Sequence, residues 1–333
     1  DINGDDIDDL VISAPRADGI ISEEVGRSYV VFGSASPLGT PINLAELDGS
    51  NGFRMNSGAA GGWAGASVST AGDFNGDGID DLIIGSPYAN SRTGRSYVVF
   101  GGETWPASFN LGALSPNPSP GRLHGFRFEG EGQGDSSGVS VSAAGDVNGD
   151  GIDDLIIGAH KADFNGIDSG RAYVVFGTTG DLPSVFGLED LDGTNGFVLN
   201  GESAYDRAGR SVSSAGDING DGIDDLIIGA TRGSSNFSLG GAGYVVFGSR
   251  DAWMESINLA ALDGTNGFKL EGEATDDETG RSVSAAGDIN GDGVDDLIIG
   301  APQGYWNGNF FAGRTYVVFG RSDRMFSDQF SRD

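Results

Sequence analysis

Four aspartates and one asparagine share a ten-residue segment that recurs five times along 333 residues: DINGDDIDDL at 1–10, DFNGDGIDDL at 73–82, DVNGDGIDDL at 146–155, DINGDGIDDL at 217–226 and DINGDGVDDL at 288–297. Alternate residues of a tight loop can turn their side chains toward one point, so positions 1, 3 and 5 can offer three oxygens to a cation. Glycine at position 6 permits the sharp reversal. Position 7 adds a backbone carbonyl, and position 9 brings a carboxylate from the start of the next strand. The expected ligands are Asp1, Asn3, Asp5, Ile7 (carbonyl) and Asp9; Asp73, Asn75, Asp77, Ile79 and Asp81; Asp146, Asn148, Asp150, Ile152 and Asp154; Asp217, Asn219, Asp221, Ile223 and Asp225; Asp288, Asn290, Asp292, Val294 and Asp296.

Oxygen-only donors favour calcium over zinc or copper, and magnesium prefers a stricter octahedron with retained waters. Four to five Ca2+ ions are expected. An EF-hand is excluded, because its position-12 glutamate is replaced here by Ile12, Ile84, Ile157, Ile228 and Ile299. One such segment would read as an ordinary polar turn. Five, with first aspartates 72, 73, 71 and 71 residues apart, read as metal loops. The first loop is the weakest, since Asp6 replaces the glycine and Asp1 carries the α-ammonium. Asp8, Asp80, Asp153, Asp224 and Asp295, at position 8, are expected to face solvent or a neighbouring turn.

The elements that hold these loops repeat with the same period. A run of the form GxSVSxAG precedes four of them, at 65–72, 138–145, 209–216 and 280–287, with strand-like alternation. A second run, DLIIG, follows directly at 81–85, 154–158, 225–229 and 296–300, with DLVIS at 9–13; its consecutive aliphatics imply burial on both faces. A third, YVVFG, occurs at 29–33, 97–101, 173–177, 244–248 and 316–320. A fourth, NGFxLxG or its variants, lies at 51–56, 124–130, 195–201 and 266–272 and suits an outer strand. The NLAxLDG segments at 43–49 and 258–264 are too short to be more than turns. Four short strands per period of about 71–73 residues predict an all-β chain, a β-propeller of four-stranded blades. The repeats begin near 1, 65, 138, 209 and 280, within one propeller over 1–320, and 321–333 form a tail or partial closing strand. The start inside a repeat leads us to expect N-terminal truncation of a larger propeller, for which a missing signal peptide is uninformative.

Net charge is −30, and the five loops account for 21 of the 49 acidic residues. That charge repels nucleic acid and anionic membrane surfaces. There is no cysteine, and no apolar stretch long enough for membrane insertion.

The alternation GxSVSxAG, the strand DLIIGAP at 296–302 and the aspartate loop between them resemble the FG-GAP repeats of the integrin α-subunit propeller and its bacterial relatives. The Phe of the family's Phe-Gly pair is mostly missing, and five units stand where the family usually has seven. The resemblance implies a calcium-stabilised, noncatalytic extracellular or cell-surface module for adhesion or recognition, whose partner is an extracellular protein or glycan. It also implies that the partner binds opposite the calcium loops. There the connections from second to third run vary most. Tyr88, Phe164, Phe237, Tyr305, Trp306, Phe310 and Phe311 lie in them, and Trp63 and Tyr205 lie in fourth-to-first connections. Exposed aromatics of this kind mark recognition surfaces, the alternative being that they tuck onto the blade rims and plug the propeller's centre. Trp105 and Trp253, on the calcium side, read as local packing.

Catalytic motifs are missing from the sequence. The two histidines, His124 and His160, sit at different points of the repeat and read as ordinary surface residues. FG-GAP modules also accompany enzymes, so the alternative is an accessory propeller or fragment of a secreted carbohydrate-active or phospholipase-like hydrolase.

Overall fold

A computed structural model describes residues 1–18, 24–36, 41–57, 61–116, 125–232, 240–304 and 312–321. The described residues contain five sheets, each built on one repeat. In the second repeat, Ser67–Gly72, Asp81–Ser86, Arg95–Val99 and Gly125–Glu129 pair antiparallel in sequence order, as the four runs predict. The DLIIG strands are buried along their full length in the second, third and fourth repeats. They are the middle strands, and side chains on both faces are removed from water.

The fold departs from the four-strand expectation at the outer edge. Three short strands, Ser108–Asn110, Val185–Gly187 and Ser256–Asn258, add in parallel to the fourth-run strand of the preceding repeat. The fourth run is therefore more buried than an outer strand should be, with Phe53, Met55, Phe126, Phe128, Phe197 and Leu199 all enclosed. The segments read as turns are single 3-10 turns, at Leu44–Glu46 and Leu259–Ala261, and the same turn recurs at Leu111–Ala113 and Leu188–Asp190.

The residues fall into two compact units, Asp1–Gly138 with Thr178–Asp190, and Val139–Gly177 with Leu191 onward. The first holds a core of Val30, Phe53, Met55, Leu82, Ile84, Tyr97 and Val99. The second packs Ile156, Val174, Phe197, Leu226, Ile228 and Tyr244 together. Trp105 stacks on Phe53 and Trp253 on Phe197, both at 4.1 Å between ring centroids, so both tryptophans serve packing as expected.

Candidate metal centres and the opposite face

Each aspartate loop is wound about its own first carboxylate. Asp73 accepts from the N–H of Asp77 and of Gly78, both at 2.9 Å. Asn75 Oδ1 accepts from the same Asp77 N–H at 2.8 Å, and Asp77 Oδ1 accepts from Ile79 N–H at 3.0 Å. Asp146, Asp217 and Asp288 repeat the first pair of bonds in their loops. Asp1 does so with Asp5 and Asp6, and Asp6 takes a left-handed φ of 63° in place of glycine. The residues at position 7 (Ile7, Ile79, Ile152, Ile223 and Val294) each donate their N–H to the position-5 carboxylate.

Position 9 is different. Asp81, Asp154, Asp225 and Asp296 are fully buried, and Asp9 is exposed at most in part. One oxygen of each accepts from the glycine ending YVVFG, at 2.7–2.9 Å: Gly33, Gly101, Gly177, Gly248 and Gly320. The other accepts from position 2 of its own loop in four copies, through Ile2, Val147, Ile218 and Ile289. In the second loop that oxygen, Asp81 Oδ2, is buried with no hydrogen-bond partner. Burial, reinforced by neighbouring loop carboxylates, pushes Asp81, Asp154 and Asp225 up to about 8. The glycine of YVVFG holds a fixed place in every copy, and that place is the sequence signal of its bond to the position-9 carboxylate.

The donor set fits a hard divalent cation: three carboxylates, one amide oxygen and a carbonyl per loop, with an unpartnered buried oxygen at Asp81. Among the described residues no three His, Cys, Asp or Glu side chains are drawn together as a ready cluster. The loop oxygens instead take up N–H groups of their own loop.

Three position-8 aspartates turn to a neighbouring loop. Asp224 accepts from Asp146 N–H at 2.9 Å and Asp295 from Asp217 N–H at 3.0 Å, while Asp80 accepts from the amino group of Asp1 at 2.9 Å. Each thereby links its own metal loop to that of the preceding repeat. The glycine before the first aspartate makes room for this. A Cβ at Gly145 would lie 2.3 Å from the Asp224 carboxylate, and at Gly216 2.2 Å from that of Asp295.

At the other end of the sheets the second-to-third and fourth-to-first connections are bridged. Gly94 pairs with Ser137, Gly170 with Ala208 and Gly241 with Thr279. Trp63 and Tyr88 meet here with ring centroids 4.4 Å apart, and Arg16 lies 4.3 Å over the Trp63 ring. Trp63 Nε1 donates to Glu24 at 3.1 Å. Phe164 and Tyr205 are exposed in the second unit. Phe237, Tyr305, Trp306, Phe310 and Phe311 lie outside the described residues, as does His124. His160 is no ordinary surface residue: its Nδ1 is shut off from water without a partner, and burial, with Arg210, Lys161, Arg207 and Arg281 nearby, holds its pKa down at about 3.

Comparison with known proteins agrees with this geometry. The FG-GAP repeat family matches residues 64–99, 137–175, 208–247 and 279–318. Integrin alpha pat-2 of Caenorhabditis elegans is 31% identical over 243 residues, covering 69% of this chain and 17% of the relative. Integrin alpha-5 of Xenopus laevis is 30% identical over 235 residues, 69% of this chain and 19% of the relative. Phosphatidylinositol-glycan-specific phospholipase D of Bos taurus is 33% identical over 183 residues, 51% of this chain and 20% of the relative. The chain thus spans a fifth or less of the length of these relatives. Its blades, loops and matched repeats make it an FG-GAP repeat protein that resembles the integrin α-subunits.

Proposed function

We propose that this chain is a noncatalytic recognition module, stiffened by calcium, that works outside the cell or at its surface on an extracellular protein or glycan. The observation that carries the reading is the buried position-9 aspartate, repeated in the second to fifth loops and left with an unpartnered oxygen at Asp81. A carboxylate taken out of water beside two more carboxylates is costly unless a cation offsets the charge. Calcium would be held by positions 1, 3, 5, 7 and 9, and it would supply charge neutralisation and stiffness at that end. Cytosolic calcium is too low to fill weak sites of the extracellular kind, which supports a location outside the cell. The likeness to integrin α-subunits supports recognition as the task.

A second reading, an accessory propeller of a secreted hydrolase, is favoured by the likeness to the bovine phospholipase D. Immobilising the chain with calcium separates the two. Recognition predicts capture of extracellular protein or glycan-bearing surfaces, abolished by EDTA, with no product released. Hydrolysis of a glycan or phospholipid by the isolated chain would overturn the noncatalytic reading.

A further inference from the structure

The second unit carries a cationic cluster at the end opposite its metal loops. His160 and Lys161 follow the strand Asp154–Ala159, while Arg207 and Arg210 flank Gly209 at the head of Ala208–Gly216. A Cβ on Gly209 would stand 3.1 Å from Ala159 N, so glycine lets these two segments touch. Arg281 holds the position after Gly280 that Arg210 holds after Gly209. Arg210, Lys161, Arg207 and Arg281 all lie near enough to His160 to disfavour its protonation. Arg207 has one carboxylate neighbour, Asp168 at 3.3 Å, and Arg281 has Glu278 at 3.6 Å. A guanidinium carries five N–H donors, so one carboxylate does not exhaust it. Two nitrogens of the cluster, His160 Nδ1 and Arg207 Nε, are buried without a hydrogen-bond partner.

An apolar platform adjoins the cluster. Arg207 N–H donates to Asp168 O at 3.0 Å, Ala208 N–H to Ser169 O at 3.0 Å, and Tyr205 N–H to Ile167 O at 2.7 Å. These bonds fix two loops side by side and hold Phe164, Ile167 and Tyr205 in the open, with 55%, 59% and 49% of their surface exposed. The Arg171 guanidinium lies 4.5 Å from the Phe164 ring centroid, over one face of a ring that stays more than half exposed. Tyr205 adopts φ 68°, which is unusual for so bulky a residue, and such strain concentrates at functional sites.

We propose that this face binds an acidic carbohydrate, with the rings of Phe164 and Tyr205 taking the C–H faces of sugar residues and Lys161, Arg207, Arg210 and Arg281 taking a sulfate or uronate carboxylate. An acidic peptide would use the cations but leave two flat ring faces idle. The assignment rests on the recognition reading above and names the ligand class for one unit.

Calorimetric titration of the calcium-loaded chain with dextran sulfate, hyaluronan oligosaccharides, unsulfated dextran and poly-glutamate tests it. Dextran sulfate or hyaluronan binds, whichever does identifying the anionic group, and dextran binds at least about tenfold more weakly, as expected for lost charge-assisted hydrogen bonds. Lys161→Gln combined with Arg210→Gln weakens binding about tenfold and flattens its salt dependence. Phe164→Ala and Tyr205→Ala, at exposed positions that leave the core intact, weaken binding without flattening the salt dependence, and they carry the test should the Arg210 variant fail to fold. Affinity for unsulfated dextran equal to that for the acidic polysaccharide that binds overturns the proposal, as does wild-type affinity in the aromatic variants. Tighter binding of poly-glutamate, indifferent to Phe164 and Tyr205, assigns the face to an acidic peptide instead. If none of these probes binds while calcium-dependent surface capture persists in every variant, this assignment fails and the recognition reading stands. Cleavage of a bound probe has the opposite consequence.

Discussion

At the metal end of each blade the backbone enters left-handed conformations at glycine: Gly76 and Gly78, Gly149 and Gly151, Gly220 and Gly222, Gly291 and Gly293, with Asp6 as the one substitute. At the other end it does so at Glu24, Trp63, Asn90, Ser91, Arg92, Ser136, Asp168, Tyr205, Arg207, Asp276 and Glu278. Eleven of the twelve described non-glycine residues in this conformation therefore sit at this end, in the second-to-third and fourth-to-first connections. The metal end uses the residue that bends without strain, and it repeats that choice in every copy. The opposite end turns at glycines too, but it also accepts strain of order 1–3 kcal/mol per residue at fixed places. Trp63, Ser136, Arg207 and Glu278 each stand two residues before the first-run glycine, so the residue type differs from copy to copy while the backbone conformation recurs. Uniform, relaxed loops are scaffold, whereas varied and strained loops hold side chains where a partner can meet them.

The largest expected effect lies in the buried carboxylates. Asp225→Ala leaves the N–H groups of Gly248 and Ile218 without their acceptor in a buried place. Urea denaturation should report a loss of about 2–5 kcal/mol, from two unsatisfied donors. A loss below 1 kcal/mol, on the order of a surface substitution, would break the scaffold half of the comparison.

The acid dependence comes next. Burial raises Asp81, Asp154 and Asp225 to about 8 in the metal-free chain. Above the ordinary carboxylate pKa the folded state then holds protons that the unfolded chain has released. Stability falls as pH rises from about 4 toward 8, and it is fully present only below that window. Melting curves in EDTA should show this decline, and calcium, which replaces those protons, should remove it. A metal-free melting temperature that rises with pH across the window contradicts the assignment.

Smaller effects belong to the links between loops. Asp224→Ala removes the acceptor of Asp146 N–H and should cost about 1–2 kcal/mol, measured by the same denaturation. The finest test sets the two ends against each other. Gly222 has φ 82° and open space around its Cβ position, so Gly222→Ala reads backbone strain alone and should destabilise by about 1 kcal/mol. Tyr205→Gly, relieving φ 68° at an exposed site, should stabilise by about the same amount while reducing partner capture. Opposite signs would sharpen the contrast, and equal signs would dissolve it.

Much of this was legible because its signals are local and repeated. Asp73, Asn75 and Asp77 announce their loop by spacing, and Leu82–Ile84 announce a strand buried on both faces. Ser108–Asn110, Val185–Gly187 and Ser256–Asn258 escaped notice because three residues show no alternation, and their pairing with another repeat is a long-range event. No residue pattern marks a tryptophan or tyrosine for positive φ, so the strain at Trp63 and Tyr205 needed coordinates. His160 misled for the same reason: its environment comes from Arg210 and Arg281, 50 and 121 positions away in the chain.

The melting temperature of the wild-type chain, followed as calcium is titrated in and then removed with EDTA, tests the metal-loop scaffold most directly. Ions that bind only the folded state stabilise it by about 2.7 kcal/mol per site at a hundredfold excess over Kd. With four to five loops the melting temperature should climb steeply with calcium and fall back on chelation, with four to five ions bound per chain. A melting temperature indifferent to both, with no calcium retained, would contradict the metal-loop scaffold.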